Sequence, residues 1–152
     1  MCTSDPLPIL IDGSNVMYWD GPPPTLEPVH EAAQLLIEKG YAPHVMFDAN
    51  AGHLVFGGYK HDHELAQMLG LTFDQVVVVD KGVEADPHLL RMARDLGAKV
   101  VTNDLFRDWA KKFPEVRTRG HLIHGGYHKG KLWLDFDGSR QRAQKARRRK
   151  KR

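Results

Sequence analysis

Leu7-Pro-Ile-Leu-Ile-Asp12-Gly-Ser-Asn-Val16 decides how this chain is read. Leu7 to Ile11 is a short apolar run that stops at an acid and a glycine, the pattern of a buried strand entering a tight turn. If that strand lies in a parallel sheet, Asp12 stands just at its carboxyl end, where open α/β sheets bind their ligands.

The same grammar repeats outward from this stretch. Thr25 is placed to cap a helix from Leu26 to Lys39, which Gly40 ends. His44 to Phe47 reads as a second strand terminating in Asp48, followed by a glycine-rich loop from Ala49 to Tyr59. A helix from His61 to Leu69 stops at Gly70. Gln75 to Val79, rich in valine, reads as a third strand ending in Asp80. Asp86 and Pro87 suit an N-cap and first turn, with Leu89, Leu90, Met92, Ala93 and Leu96 forming the apolar side. Lys99 to Thr102 reads as strand four, after which Asn103 and Asp104 open a helix carrying Trp109 and Phe113, broken by Pro114. His121 to His124 supplies a fifth strand, and Lys131 to Phe136 folds back as a hairpin. Apolar strands alternating with amphipathic helices predict a three-layer α/β/α, Rossmann-like domain around a central parallel sheet.

Its 152 residues suit one domain, taken as residues 1–138, with a basic tail over 139–152 that is disordered or an extended helix. The longest apolar runs are too short to span a bilayer, so no membrane partner is expected, and no secretory signal is visible at the start. A lone cysteine, Cys2, excludes an internal disulfide framework and a multi-cysteine zinc site. A reducing interior follows, and the cytoplasm is the expected location. A homodimer is among the assembly states the sequence allows.

Net charge hides an asymmetry. Of 22 Lys and Arg, nine lie in residues 139–152, leaving 13 against 19 acids and about −6 on the body. Asp12, Asp48, Asp80 and Asp104 all fall at strand ends, Asp86 opens the following helix, and Asp104 and Asp108 share a helical face at i, i+4 spacing. Two carboxylates about 5 Å apart repel by roughly 3 kcal/mol at an effective dielectric near 20. Such a group protonates, spreads or holds a cation, and all-oxygen donors favour Mg²⁺ or Mn²⁺ over zinc. Aspartate is also common at caps and strand ends for backbone reasons alone, and Asp48 and Asp80 are left with that explanation.

Three segments, Ile11-Asp-Gly-Ser-Asn-Val16, Ala85-Asp-Pro-His-Leu-Leu-Arg-Met-Ala93 and Val100-Val-Thr-Asn-Asp-Leu-Phe-Arg-Asp108, resemble the PIN-like NYN-domain ribonucleases, particularly the nuclease domain of Regnase-type proteins. The resemblance runs from about Leu7 to Ile123. It implies a PIN-like fold and a Mg²⁺- or Mn²⁺-dependent endoribonuclease acting on single-stranded or loop RNA. On the matching positions it makes Asp12, Asp86, Asp104 and Asp108 the catalytic metal ligands, and has Asn15 orient Asp12 or touch the scissile phosphate. Ser14, Thr102 and Asn103 become supporting polar groups, Ser14 and Asn103 at the substrate, and Arg107 contacts RNA or braces the acids. Ala85 stands where members often carry a second aspartate, so one metal is expected rather than two. The alternative is a catalytically silent RNA-binding PIN-like domain.

The tail has the electrostatic signature of a polyanion-binding segment, and Arg147, Arg148 and Arg149 are its residues assigned to RNA contact. Gly125 to Lys131 has P-loop spacing, but Leu132 replaces the Ser or Thr that would hold Mg²⁺, so a hairpin is the better reading. His61 and His63 begin a helix and are read as solvated. Tyr18 and Trp19 suit either base stacking or core packing; Trp109 is assigned to the core.

Overall fold

A computed structural model describes residues 5–58 and 60–136. Five parallel strands, β1 (Leu7–Asp12), β2 (Tyr41–Phe47), β3 (Val76–Val78), β4 (Val100–Val101) and β5 (Leu122–Ile123), form one sheet in the order β3-β2-β1-β4-β5. β1 is therefore central, and Ile9, Leu10 and Ile11 are fully buried. A strand covered on both faces needs apolar side chains at every position, which is why its run does not alternate.

Two cores lie on opposite sides of the sheet, and side chains sort between them with the period of a strand. Ile9, Ile11, Val45, Phe47, Val101 and Ile123 pack on one face. Leu10, Met46, Val100 and Leu122 pack on the other. The first face is covered by α1 (Gly13–Val16), α2 (Glu27–Glu38) and α4 (Asp62–Leu69), α2 contributing Val29, Ala32, Ala33 and Leu36. The second is covered by α5 (Ala85–Leu96), through Leu89, Leu90 and Ala93, and by the segment holding Phe106 and Phe113. Removing the side chain of a fully buried residue such as Leu90 would cost about 2–5 kcal/mol. Arg94 of α5 donates to both carboxylate oxygens of Glu115 (2.7 and 2.8 Å) and to the Lys112 carbonyl (2.9 Å), strapping that segment to the helix. The antiparallel hairpin of β6 (Gly125–His128) and β7 (Lys131–Leu134) forms a separate two-stranded sheet.

Several local expectations are corrected. The segment after β4 is not an α-helix: it is a loop, then two 3-10 turns, Arg107–Trp109 and Pro114–Arg117. Thr102 and Asp104 compete for the backbone there. The Asp104 N–H donates to Thr102 Oγ1 (3.1 Å), the Asp104 carboxylate accepts from the Phe106 N–H (2.8 Å), and Phe106 adopts a left-handed φ of 49°. A left-handed residue cannot continue an α-helix opened at Asp104, so Asp104 and Asp108 do not share a helical face. The presumed loop Ala49 to Tyr59 contains α3 (Ala51–Phe56), with Tyr59 outside the described residues. Leu26, not Thr25, holds the N-cap of α2, and Glu84, not Asp86, that of α5. The basic tail, with Arg147, Arg148 and Arg149, lies outside the described residues.

Candidate active site

Sheet register assembles the site. Ile11 lies opposite Val101, so the next residues, Asp12 and Thr102, meet where β1 and β4 end. The fully buried Thr102 donates from Oγ1 to Asp12 Oδ2 (2.9 Å), while Asp12 Oδ1 accepts the Asn15 N–H (3.3 Å) as the N-cap of α1. Gly13 is required beside it, because a Cβ there would lie 2.6 Å from the Phe47 ring. Burial pushes the Asp12 carboxyl up from 3.8 to about 7; the bonds from Thr102 and Asn15 oppose the rise, and the charges of Asp86 and Asp104 add to it.

Asp86 sits in the first turn of α5, half-buried, and is also raised, first by burial and then by the charge of Asp104. The Trp109 side chain holds it by a hydrogen bond that pulls the other way, and Glu84 and Asp48 push further up. An open cleft of about 600 Å³ is lined by Asp48, Glu84, Asp86, Asp108 and Trp109 among others. Trp109 thus has a polar duty beside its core contacts, and Asp48, set aside on sequence, stands in the cleft. Signals for both were weak in sequence, since each depends on which loops the sheet brings together.

Of the remaining predicted residues, Ser14, Asn15 and Asn103 brace the loops around Asp12. Ser14 Oγ accepts from the Asp48 N–H (2.9 Å), tying the end of β2 to the Asp12 turn. Asn15 Oδ1 accepts from Trp19 Nε1 (2.9 Å) and from the Asn103 N–H (2.9 Å). Asn103 directs its own side chain to the backbone of Gly125. Arg107 is exposed on the turn between Asp104 and Asp108. His61 is the N-cap of α4, its N–H donating to Glu64 (3.3 Å), and His63 sits beside Asp62. A second cavity of about 550 Å³ shares Asp48 with the acidic cleft and adds Asn50, His53 and Lys81, none of which the sequence had marked.

Does this edge suit a hard divalent cation? The donors are carboxylate oxygens, and Asp12 and Asp86 are raised by burial and by neighbouring acids, a cost that a cation would relieve. In chemistry and charge the residues fit. Among the described residues, however, no three His, Cys, Asp or Glu side chains converge closely enough to hold one ion. Of the expected ligands, Asp104 turns back to cap Phe106, and Asp108 rides a 3-10 turn. No helix among the described residues is long and apolar enough to cross a membrane.

A sequence profile described as the Zc3h12a-like Ribonuclease NYN domain matches residues 6–147. No curated protein matches the chain in sequence. In shape the chain is similar to the crystal structure of nuclear proteinaceous RNase P 2 from Arabidopsis thaliana, with a TM-score of 0.67 and 16% identity. A second structure of that nuclear protein-only RNase P gives 0.64 and 17%. In each case the match covers 88% of this chain and 30% of the other, so this chain spans about a third of those proteins. These likenesses support the PIN-like fold, and they correct the expected cytoplasmic location: the matched structures are of a nuclear protein. The lone cysteine never separated the two compartments, because the nucleus is equally reducing.

Proposed function

The chain belongs to the Zc3h12a-like ribonuclease NYN-domain family, and from that premise we propose that it is an endoribonuclease hydrolysing single-stranded or loop RNA with a carboxylate-held Mg²⁺ or Mn²⁺. One observation carries this reading: Asp12, gripped by Thr102 at the end of the central strand, faces the charges of Asp86 and Asp104. Asp12, Asp86, Asp104 and Asp108 are the residues that would hold the cation. Bound there, it supplies Lewis acidity that lowers the pKa of water and offsets charge on the phosphodiester oxygens.

The chain's own groups do the positioning. Thr102 fixes Oδ2 of Asp12 and Asn15 fixes Oδ1, leaving a second lone pair on each oxygen. Trp109 orients Asp86 in the same manner. With its carboxyl near 7, Asp12 retains a proton through mildly acidic pH, and that proton would have to leave for Asp12 to hold a cation.

Labelled single-stranded RNA, incubated with the protein in Mg²⁺ or Mn²⁺, is expected to be cut internally. EDTA and Asp12→Asn should each abolish cutting. The spread of the carboxylates favours one rival, a catalytically silent RNA-binding domain. Wild-type cleavage no greater than that of Asp12→Asn, with RNA binding retained, would establish that rival.

A further inference from the structure

The acidic edge is built from two loops far apart in sequence, the Asp12 turn after β1 and the Asp104 turn after β4. Asn15 joins them. Its side-chain oxygen accepts the Asn103 N–H at 2.9 Å and the Trp19 indole Nε1–H at 2.9 Å. A carbonyl oxygen has two lone pairs, so both are taken. This oxygen is engaged in holding protein to protein.

The chain of bonds continues into a closed circuit. Asn103 Nδ2 donates to the Gly125 carbonyl (2.9 Å), and Asn103 Oδ1 accepts the Gly125 N–H (3.0 Å). Gly125 in turn lies close against the Trp19 indole. A Cβ there would stand 2.4 Å from one ring carbon and 2.7 Å from another, with the Trp133 carbonyl oxygen at 2.6 Å. No side chain larger than hydrogen leaves the indole in place. Trp19 is only half-buried against the core, so apolar packing alone does not account for an indole where a phenyl ring would serve.

We propose that Trp19 is a positioning residue for RNA cleavage, acting through Asn15 to fix the Asp12 loop against the Asp104 loop, with Gly125 as the residue that admits the indole. This rests on the nuclease reading, because the two loops matter for rate only if their aspartates serve the reaction. Trp19 touches no reacting atom. Its influence passes along Asn15 Oδ1 to the Asn103 N–H, one residue before Asp104.

The experiment uses the whole chain carrying Trp19→Phe, Asn15→Ala and the pair together. Trp19→Phe keeps an aromatic ring and removes only the N–H. It should lower kcat on single-stranded RNA by about tenfold, the scale of one neutral hydrogen bond, while KM changes less than twofold. The double variant should cleave no more slowly than Asn15→Ala alone. In metal-free protein, the Asn103 amide should exchange with solvent several-fold faster in Trp19→Phe than in wild type. Gly125→Ala, which displaces the indole from the other side, should reproduce these effects and gives a second route if Trp19→Phe folds poorly. Additive losses in the double variant, or an unchanged Asn103 exchange rate, would overturn the proposal and reduce Trp19 to packing. If wild-type protein cuts no RNA, the nuclease reading falls and the proposed role in cleavage falls with it; the exchange rates then still report whether the circuit holds the loops.

Discussion

Asp12→Asn should do opposite things to stability at the two ends of the pH range. In the folded protein the Asp12 carboxyl titrates at about 7, against 3.8 for the ordinary group, chiefly because it is buried. Between those values the folded state holds a proton that the unfolded chain has released. Stability then falls as pH rises, by about 1.4 kcal/mol per pH unit, reaching about 4 kcal/mol by pH 7 and changing little above it. The contribution is fully present below pH 4. Asparagine does not titrate, so it escapes this loss. Its amide N–H₂ replaces one carboxylate oxygen. Thr102 and the Asn15 N–H both donate to the wild-type carboxylate, so an N–H₂ facing the donor-only Asn15 N–H is a mismatch that costs about 1 kcal/mol. The variant should therefore be about 1 kcal/mol less stable than wild type near pH 4 and about 3 kcal/mol more stable near pH 8. Urea unfolding in EDTA, followed by tryptophan fluorescence at both pH values, measures the crossing. Adding Mg²⁺ at pH 8 should raise the wild-type midpoint and leave the variant's unmoved, since only a binding-competent native state gains from the ligand. A stability difference of one sign and size at both pH values would refute the burial-driven rise at Asp12.

Two further outcomes concern how RNA is held. Removing residues 139–152 takes away nine cationic side chains and should weaken RNA binding at low salt. It should also flatten the dependence of log Kd on log salt by about 0.7 for each phosphate that the tail neutralises, as read by fluorescence anisotropy; an unchanged slope would assign the tail another role. Lys81→Ala, in the cavity beside the acidic cleft, should raise KM for RNA severalfold with kcat nearly constant, and an unchanged KM would remove Lys81 from the RNA path.

Much of the frame was legible because its signals are local. The run before Asp12 is apolar without alternation, as a strand buried on both faces must be, and Gly40, Gly70 and Gly97 end their helices in left-handed backbone. Placing Asp12 and Asp104 at the same edge needed only the parallel order. The misreading of the segment after β4 has a local cause that hydrophobic pattern does not register. Phe106 takes a left-handed backbone that no helix continues through, and with it went the shared face of Asp104 and Asp108. Trp109 packs against the core as expected, and that it and Asp48 also line the acidic cleft depends on loops distant in sequence. The Trp19 bond to Asn15 spans one turn, yet its consequence depends on Asn103 and Gly125, which only the fold brings near.

The electrostatics divide the labour in a way that neither the acidic body nor the basic tail shows alone. A cleft bordered by Asp48, Glu84, Asp86 and Asp108 repels a phosphodiester as it stands. Substrate approach therefore has to be driven by charge located elsewhere, and Lys81 in the adjoining cavity lies within the same edge. At the Debye length of about 8 Å at physiological salt, a cation in the adjoining cavity still acts on a strand entering the cleft, whereas distant charge is screened unless it touches the RNA directly. Salt should consequently weaken binding more than it slows the bound complex, because Asp12 and Asp86, unlike the exposed Asp104 and Asp108, are partly buried and poorly screened. Cleavage measured at saturating RNA should hold nearly constant from about 50 to 200 mM salt while KM climbs by about tenfold or more. A kcat that fell in parallel with affinity would place the basic groups in the chemical step and undo the division.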